Sequence, residues 1–136
     1  MKRRVIFACV HSAGRSQMAA AFFNRLAAPG VAEATAAGTE PALRVHPEVA
    51  EAMAELGYDL SGAKPQLLTE ALAKDAALLV TMGCGEKCPF VPGLEITDWA
   101  LADPKGQGAD AVRQIRDEVR ERVERLLKAR GWARAA

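Results

Sequence analysis

The chain opens with a strand-like run that leads, through a short loop of small residues, directly into a helix-like stretch. Residues 4–8 (RVIFA) are mostly apolar, as in a strand that is buried on both faces. Residues 16–28 then place Met18, Phe22 and Leu26 at helical spacing before a Pro-Gly break. A strand followed so closely by a helix is the repeating unit of α/β folds with a parallel sheet.

The same alternation continues along the 136 residues. Further strands are predicted over 32–37, 76–82 and 94–97, and further helices over 47–56, 67–73 and 109–130. Gly and Pro residues make most of 83–108 a predicted loop. These elements predict a single α/β domain over residues 1–136. We expect a three-layer open sandwich with a central, mainly parallel four-stranded sheet flanked by helices.

Composition excludes several classes of protein. The net charge is +1 and half of the residues are hydrophobic, so nothing draws the chain towards nucleic acid or a membrane surface. No apolar stretch approaches the ~18 residues of a spanning helix, and the apolar run after MKRR is too short for a signal peptide. We therefore expect a cytoplasmic protein. Its three cysteines, an odd number in a reducing compartment, favour chemistry over structural disulfides.

The loop CVHSAGRS has the features of an oxyanion site. It follows a strand and precedes a helix, where open α/β sheets bind ligands and where a helix start offers unpaired N–H groups. Small residues let successive amides turn inwards, and Arg15 adds a two-pronged cation. The same positive surroundings favour Cys9 as a thiolate nucleophile. The predicted binding residues are Val10, His11, Ser12, Ala13, Gly14, Arg15 and Ser16.

Plainer structural roles stay open for several of these residues. Cys9 could be a small buried residue at a strand end, and Arg15 an ordinary surface residue at a helix start. Ser16 could either bond the thiolate or cap the helix. His11 is expected to contribute its backbone amide, with an exposed side chain, and His46 to be structural ahead of Pro47.

A second pair of cysteines, Cys84 and Cys88, follows the predicted strand 76–82. If that strand runs parallel to the first, both cysteines lie at the same sheet edge as Cys9. Their spacing allows a disulfide when the loop bends, for which Gly83 and Gly85 supply backbone freedom. Zinc and two inert core cysteines are the competing interpretations. With one close cysteine pair and two distant histidines, we predict no metal site.

The stretch CVHSAGRSQMAAAFF resembles the phosphate loop of the low-molecular-weight protein tyrosine phosphatases. It is more similar still to that of their relatives, the thioredoxin-coupled arsenate reductases. The resemblance extends through HPEVAEAMAELGYDLSGAKPQLLTE, LLVTMGCGEKCP and DWALADPKGQG, and the downstream cysteine pair favours the reductases. It implies arsenate as substrate, with phosphate or sulfate as competing oxyanions. It also implies no bound cofactor and regeneration by an external thiol donor, thioredoxin above all.

The reductase resemblance also implies a relay of three cysteines. Cys9 attacks arsenate, Cys84 attacks the Cys9–arsenic adduct to release arsenite, and Cys88 resolves the resulting bridge into a Cys84–Cys88 redox disulfide. Asp103 matches the Asp-Pro general acid of the family, although an Asp before Pro also suits a simple turn. Asp98 is the nearest rival and lacks the following proline.

Departures from the family pattern limit what the resemblance carries over. Ser12 and Ala20 stand where some reductases hold potassium with Asn and Glu, so we predict no potassium site. Lys105 follows the Asp-Pro where phosphatases usually place aromatic residues. The alternative function is hydrolysis of phosphotyrosine or other phosphomonoesters by Cys9, Arg15 and Asp103. A non-catalytic oxyanion-binding or redox-sensing module is a third hypothesis.

Overall fold

The computed structural model describes residues 3–83 and 93–134. Four strands form one parallel sheet in the order β2-β1-β3-β4. They are β1 (Arg3–Cys9), β2 (Ala32–Gly38), β3 (Leu78–Thr81) and β4 (Glu95–Asp98). The helices are α1 (Arg15–Leu26), α2 (Pro47–Ala54), α3 (Glu70–Lys74) and α4 (Ala109–Arg130). The predicted parallel four-stranded α/β fold is therefore confirmed.

The sheet is covered on both faces, as parallel sheets require. The larger core layer joins Val5 and Phe7 of β1 to buried apolar residues of α1, α2 and α4. The smaller layer joins Ile6 and Leu79 to Leu68 and to Ala73 of α3. Alternate residues of β1 thus serve opposite faces, which explains why the whole run reads as apolar in the sequence. The three-layer arrangement follows from these two cores.

Helix α4 has the bounds that its sequence pattern predicted. Its apolar residues form a buried stripe, while charged side chains pair along the outer face. Gly131 ends the helix in the left-handed region, at φ 73°, where glycine carries no steric cost. No helix within the described residues is long and apolar enough to cross a membrane.

The helix predicted over 67–73 is wrong in its first turn. Leu67 forms a parallel bridge with Gly38, and the Leu68 N–H donates to the Gly38 carbonyl, so this part of the chain is extended. The helix begins only at Glu70, where the Thr69 hydroxyl accepts a bond from the Leu72 N–H and caps the helix. The sequence pattern indicates a helix here, and it gives no sign that residues 67 and 68 pair with Gly38 instead.

An ion-pair cluster fastens the end of α2 to α4. Glu55 accepts hydrogen bonds from Arg113 Nη2 at 2.7 Å and from Arg116 Nη1 at 2.8 Å. Arg116, itself buried, also donates to the Ala52 carbonyl at 2.8 Å. These bonds, chiefly that from Arg113, lower the pKa of Glu55 from 4.5 to about 2.

The lowered pKa of Glu55 predicts a loss of stability in acid. A carboxylate with a depressed pKa stabilises the fold fully above its ordinary value, and this contribution is lost as the pH falls from about 4.5 towards 2. We expect Glu55→Gln to lower the Tm modestly at pH 7, with a difference from wild type that narrows below pH 4.5. Glu51→Gln, an exposed change on the same helix, is the control for thermal unfolding followed by circular dichroism. A Tm difference that stays constant down to pH 2 would contradict the assignment.

Candidate active site at the carboxyl edge of the sheet

A cysteine and an arginine flank the loop between β1 and α1, and both are buried. Cys9 is the last residue of β1 and Arg15 is the first of α1, and both side chains are buried. Between them Ser12 adopts a φ of 52°, the one left-handed backbone among the described residues other than glycine. Such a conformation in a serine is uncommon and marks a loop whose path is imposed by its surroundings.

The Cys9 thiol is held by a serine of the first helical turn. Its Sγ donates to Ser16 Oγ at 3.2 Å, and Ser16 Oγ lies 3.4 Å from Ser12 Oγ. Gly14 occupies the N-cap position of α1, without a side-chain cap. The cap interpretation of Ser16 is therefore wrong, because its hydroxyl accepts from the sulfur and donates to Ser12 Oγ instead.

Arg15 keeps one buried donor without an acceptor. Its Nη1 donates to the Leu101 carbonyl at 3.1 Å, and its Nη2 lies 3.7 Å from Asp103 Oδ2. Its Nε, by contrast, is buried and has no partner among the described residues. An unpaired buried guanidinium N–H is costly, so its presence at the end of this loop points to an anionic acceptor that the site is built to receive.

The neighbouring segment 39–46 fixes the outer side of the loop. The carbonyls of Cys9, Val10, His11 and Ala13 accept backbone bonds from Thr39, Glu40, Ala42 and His46, at 2.8–3.3 Å. No acceptor among the described residues is found for the backbone N–H groups of residues 11–15. The loop therefore has its carbonyls satisfied and its amides available, the arrangement expected of an anion-binding nest.

Asp103 makes the turn contact weighed for it and also faces Arg15. Its Oδ1 accepts from the Lys105 N–H at 3.0 Å, which is the turn contact, while Oδ2 faces Arg15. The next residue, Pro104, closes on the loop, since a methyl group built at Gly14 would lie 2.8 Å from Pro104 Cγ. Asp98 is engaged elsewhere: it accepts from Thr81 Oγ1 at 2.6 Å. Of the two aspartates, only Asp103 contacts Arg15.

The two histidines of the chain border this loop. His11 lies with its Nδ1 3.0 Å from the Glu40 carbonyl oxygen, a surface contact that leaves the ring outside the cysteine–arginine cluster. His46 is the N-cap residue of α2, and its ring passes close to Gly14. Neither imidazole contacts Cys9, Arg15 or Asp103 among the described interactions.

Two glycines, neither of them predicted as a site residue, lie against the loop and Arg15. A Cβ at Gly38 would sit 2.6 Å from the Val10 carbonyl oxygen and 2.8 Å from the Ser12 nitrogen. A Cβ at Gly83, which has a φ of 99°, would sit 2.5 Å from Arg15 Nη1. Gly38 is the last residue of β2, and Gly83 comes two residues after β3. A glycine at the carboxyl end of a predicted strand was therefore the sequence signal that could have identified both residues.

Cys84 and Cys88 lie outside the described residues. The strand that precedes them, β3, pairs in parallel with β1, so the predicted shared direction of the two strands is confirmed. Among the described residues, no group of three or more His, Cys, Asp or Glu side chains could hold a metal ion.

Comparison with known proteins matches nearly the whole chain to one family. The family model for low molecular weight phosphotyrosine protein phosphatase matches residues 4–132. A glutaredoxin arsenate reductase from Synechocystis is 37% identical over 128 residues, which is 92% of this chain and 96% of that protein.

Solved structures agree with this placement. The thioredoxin-dependent arsenate reductase Cg_ArsC1' of Corynebacterium glutamicum superposes with a TM-score of 0.81 at 37% identity. The match covers 94% of this chain and 61% of that longer chain. An arsenate reductase in a phosphate-binding state superposes with a TM-score of 0.81 at 34% identity, covering 93% and 98% of the two chains.

Proposed function

This chain belongs to the low molecular weight phosphotyrosine protein phosphatase family, on the branch that includes the arsenate reductases, and we propose that it reduces arsenate to arsenite. The three similar proteins support this substrate, since each of them is named as an arsenate reductase. Arsenate is a tetrahedral oxyanion of the shape and charge that the loop between β1 and α1 suits.

The observation that carries the proposal is the set of unpaired donors in the loop that follows a buried thiol. The Nε of Arg15 and the amides of residues 11–15 lack acceptors among the described residues, and all of them come directly after Cys9, the last residue of β1. A bound oxyanion would accept from these donors and bring its central atom towards Cys9. The donors are rigidly placed before substrate arrives, which is the arrangement that stabilises charge in a transition state.

In the first step the Cys9 thiolate attacks arsenic(V). A sulfur–arsenic bond forms, and one arsenate oxygen departs as water after protonation. Arg15 and the loop amides hold the remaining oxygens. Asp103 is the proposed proton donor: its Oδ2 lies 3.7 Å from Arg15 Nη2, and about half of its side chain is exposed.

The second and third steps use the downstream cysteines. The Cys84 thiolate attacks Cys9 Sγ, so that a disulfide forms while the sulfur–arsenic pair of electrons stays on arsenic and arsenite leaves. Cys88 then attacks Cys84, which frees Cys9 as a thiolate and leaves a Cys84–Cys88 disulfide. The three-cysteine count and the parallel pairing of β1 with β3 support this order.

An external dithiol must return two electrons to the Cys84–Cys88 disulfide in each cycle. Thioredoxin is the donor we propose, by analogy with the Corynebacterium relative, whose name states that dependence. The Synechocystis relative carries glutaredoxin in its name, so a glutathione-based system is the rival donor. Either donor suits the reducing cytoplasm, where we propose that the protein works.

Phosphomonoester hydrolysis is the competing function, because it needs only residues that the structure brings together. Cys9 would form a cysteinyl phosphate, Arg15 would hold the phosphoryl oxygens and Asp103 would protonate the leaving group. The family model supports this chemistry as a general capacity of the fold. Hydrolysis consumes no thiols, which separates the two functions experimentally.

Arsenate-dependent oxidation of NADPH by the wild-type protein tests the proposal, with thioredoxin or glutaredoxin systems supplied in separate arms. We expect sustained turnover in the thioredoxin arm. With the donor omitted, two thiols should be lost for each arsenite formed, and peptide mapping should find Cys84 joined to Cys88. Hydrolysis of p-nitrophenyl phosphate without turnover in any donor arm would overturn the reductase and favour the phosphatase.

A further inference from the structure

A glutamine on α1 holds the loop serine that has the unusual backbone. Gln17 is a buried side chain, and its Nε2 lies 2.9 Å from the Ser12 carbonyl oxygen and 3.4 Å from Ser12 Oγ. Ser12 is also the residue with a φ of 52°. Gln17 therefore clamps both the backbone and the hydroxyl of the most constrained residue in the oxyanion loop.

The direction of this contact is fixed by chemistry. A carbonyl oxygen only accepts hydrogen bonds, so the amide group of Gln17 that faces Ser12 must be its NH2. The same nitrogen then also donates to Ser12 Oγ. In the thiol form Ser12 Oγ also accepts from Ser16 Oγ at 3.4 Å. A hydroxyl hydrogen can rotate, so the same pair can bond in the other direction, with Ser12 donating to Ser16.

A chain of hydrogen bonds thus leads from Gln17 to the sulfur of Cys9. Ser12 Oγ lies next to Ser16 Oγ, which in turn lies 3.2 Å from Cys9 Sγ. When Cys9 is a thiol, its S–H donates to Ser16, and the Ser12 hydroxyl hydrogen has no acceptor among the described contacts. When Cys9 is a thiolate, Ser16 donates to sulfur and Ser12 donates to Ser16, so every hydroxyl in the chain both gives and receives one bond.

We propose that Gln17 is a positioning residue for the nucleophile: its fixed donor orders the Ser12 and Ser16 hydroxyls so that both donate towards Cys9 and stabilise the thiolate. The proposal rests on the proposed use of Cys9 as a nucleophile. In this chain Ser12 has a hydroxyl only, and the amide that fixes it comes from the next helix.

Other charged and titratable groups near the sulfur must be held constant in a test. They are Arg15 on α1, Asp103 on the segment before α4, and the two imidazoles of His11 and His46 on the segments that border the loop. A neutral change at Gln17 alters none of these charges. Any change in the pH response of Cys9 then reports on the hydrogen-bond chain.

The test is the pH dependence of Cys9 alkylation by iodoacetamide, followed on the peptide that contains residue 9 by mass spectrometry. Gln17→Met keeps the length and volume of the side chain and removes the donor. We expect the midpoint of alkylation to rise by about half to one pH unit, the effect of losing one modest hydrogen bond to a charged system. Gln17→Leu, a second neutral change, also removes the donor and should raise the midpoint as far.

Two further variants separate positioning from general stability. Gln66→Met removes a comparable glutamine, whose Nε2 donates to the Ala36 carbonyl at 3.1 Å on β2, and should leave the midpoint unchanged. Ser12→Gly relaxes the left-handed backbone and deletes the hydroxyl link. In the Ser12→Gly background, Gln17→Met should therefore produce no further shift.

An unshifted midpoint in both Gln17 variants overturns the proposal, whatever their thermal stability, because a merely structural residue would change Tm and not the titration. A shift that persists in the Ser12→Gly background also overturns it, since Gln17 would then act without the hydroxyl chain. The alkylation readout needs no arsenate, so a failure of the proposed reductase function would leave this test intact.

Discussion

Replacing Gly38 with alanine is expected to lower kcat/KM for arsenate by about a hundredfold, although residue 38 lies outside the loop that binds the anion. The added methyl group would lie 2.6 Å from the Val10 carbonyl oxygen, 2.8 Å from the Ser12 nitrogen and 3.0 Å from the Cys9 carbonyl oxygen. All three are backbone atoms, so relief requires the loop itself to move. A shift of about an ångström in the amides that receive the oxyanion is enough for a loss of this size.

The glycine at position 62 offers a matched control for this prediction. A Cβ there would meet nothing within 4 Å, and its φ lies outside the left-handed range. Gly62→Ala should therefore leave kcat/KM within about twofold of wild type. Inorganic phosphate should raise the Tm of wild type and Gly62→Ala, and much less that of Gly38→Ala, because only the last has a displaced loop. A Gly38→Ala protein that keeps both its activity and its phosphate-dependent Tm shift would contradict the prediction.

Elements set by local patterns could be predicted from the sequence. Strand β1 is marked by a continuous apolar run, because it is buried on both faces. Helix α4 is marked by apolar residues that recur at helical spacing, because only one stripe of it is buried. The C-x5-R loop could be placed at the carboxyl edge of the sheet for the same reason: the strand before it and the helix after it are local signals.

Features that depend on distant contacts could not be predicted. The sequence left two roles open for Ser16, a helix cap or a bond to the thiolate, and only the contact with Cys9 Sγ decides between them. Leu67 has a helical sequence pattern, but its backbone forms a parallel β-bridge with Gly38 of β2. Gln17 reads as an ordinary polar residue on a helix until Ser12 is seen folded against it. In each case the role of the residue depends on a contact with a residue of a different strand, helix or loop.

The same contrast explains why Asp103 was predicted in outline only. The Asp-Pro sequence indicates a turn, and the turn contact with the Lys105 N–H is present. What the sequence could not supply is the position of the second carboxylate oxygen beside Arg15, which depends on how the segment before α4 packs over the loop. Pro104 makes that packing contact, against Gly14, where any side chain would collide with the proline ring.

Gly83→Ala is expected to reduce kcat/KM for arsenate by a hundredfold or more, chiefly through a higher KM. The new Cβ would lie 2.5 Å from Arg15 Nη1 and 3.2 Å from Arg15 Cζ, so the guanidinium must move. A guanidinium at the end of a long side chain moves at little cost in folding free energy. Here the movement breaks its bond to the Leu101 carbonyl and carries Nε away from the anion. The damage should therefore fall on oxyanion binding more than on stability.

A second glycine separates this collision from backbone strain. Gly93 has a φ of 83°, close to the 99° of Gly83, and a Cβ there would meet nothing within 4 Å. Gly93→Ala and Gly83→Ala should therefore lose comparable amounts of unfolding free energy, and their Tm values should fall by similar amounts. The expected loss is about 1–2 kcal/mol, the cost of a left-handed backbone at alanine. Only Gly83→Ala should lose the protection that phosphate gives Cys9 against iodoacetamide. Equal loss of protection in both variants would mean that strain, and not the displacement of Arg15, is responsible, and full protection in Gly83→Ala would show that the arginine tolerates the methyl group.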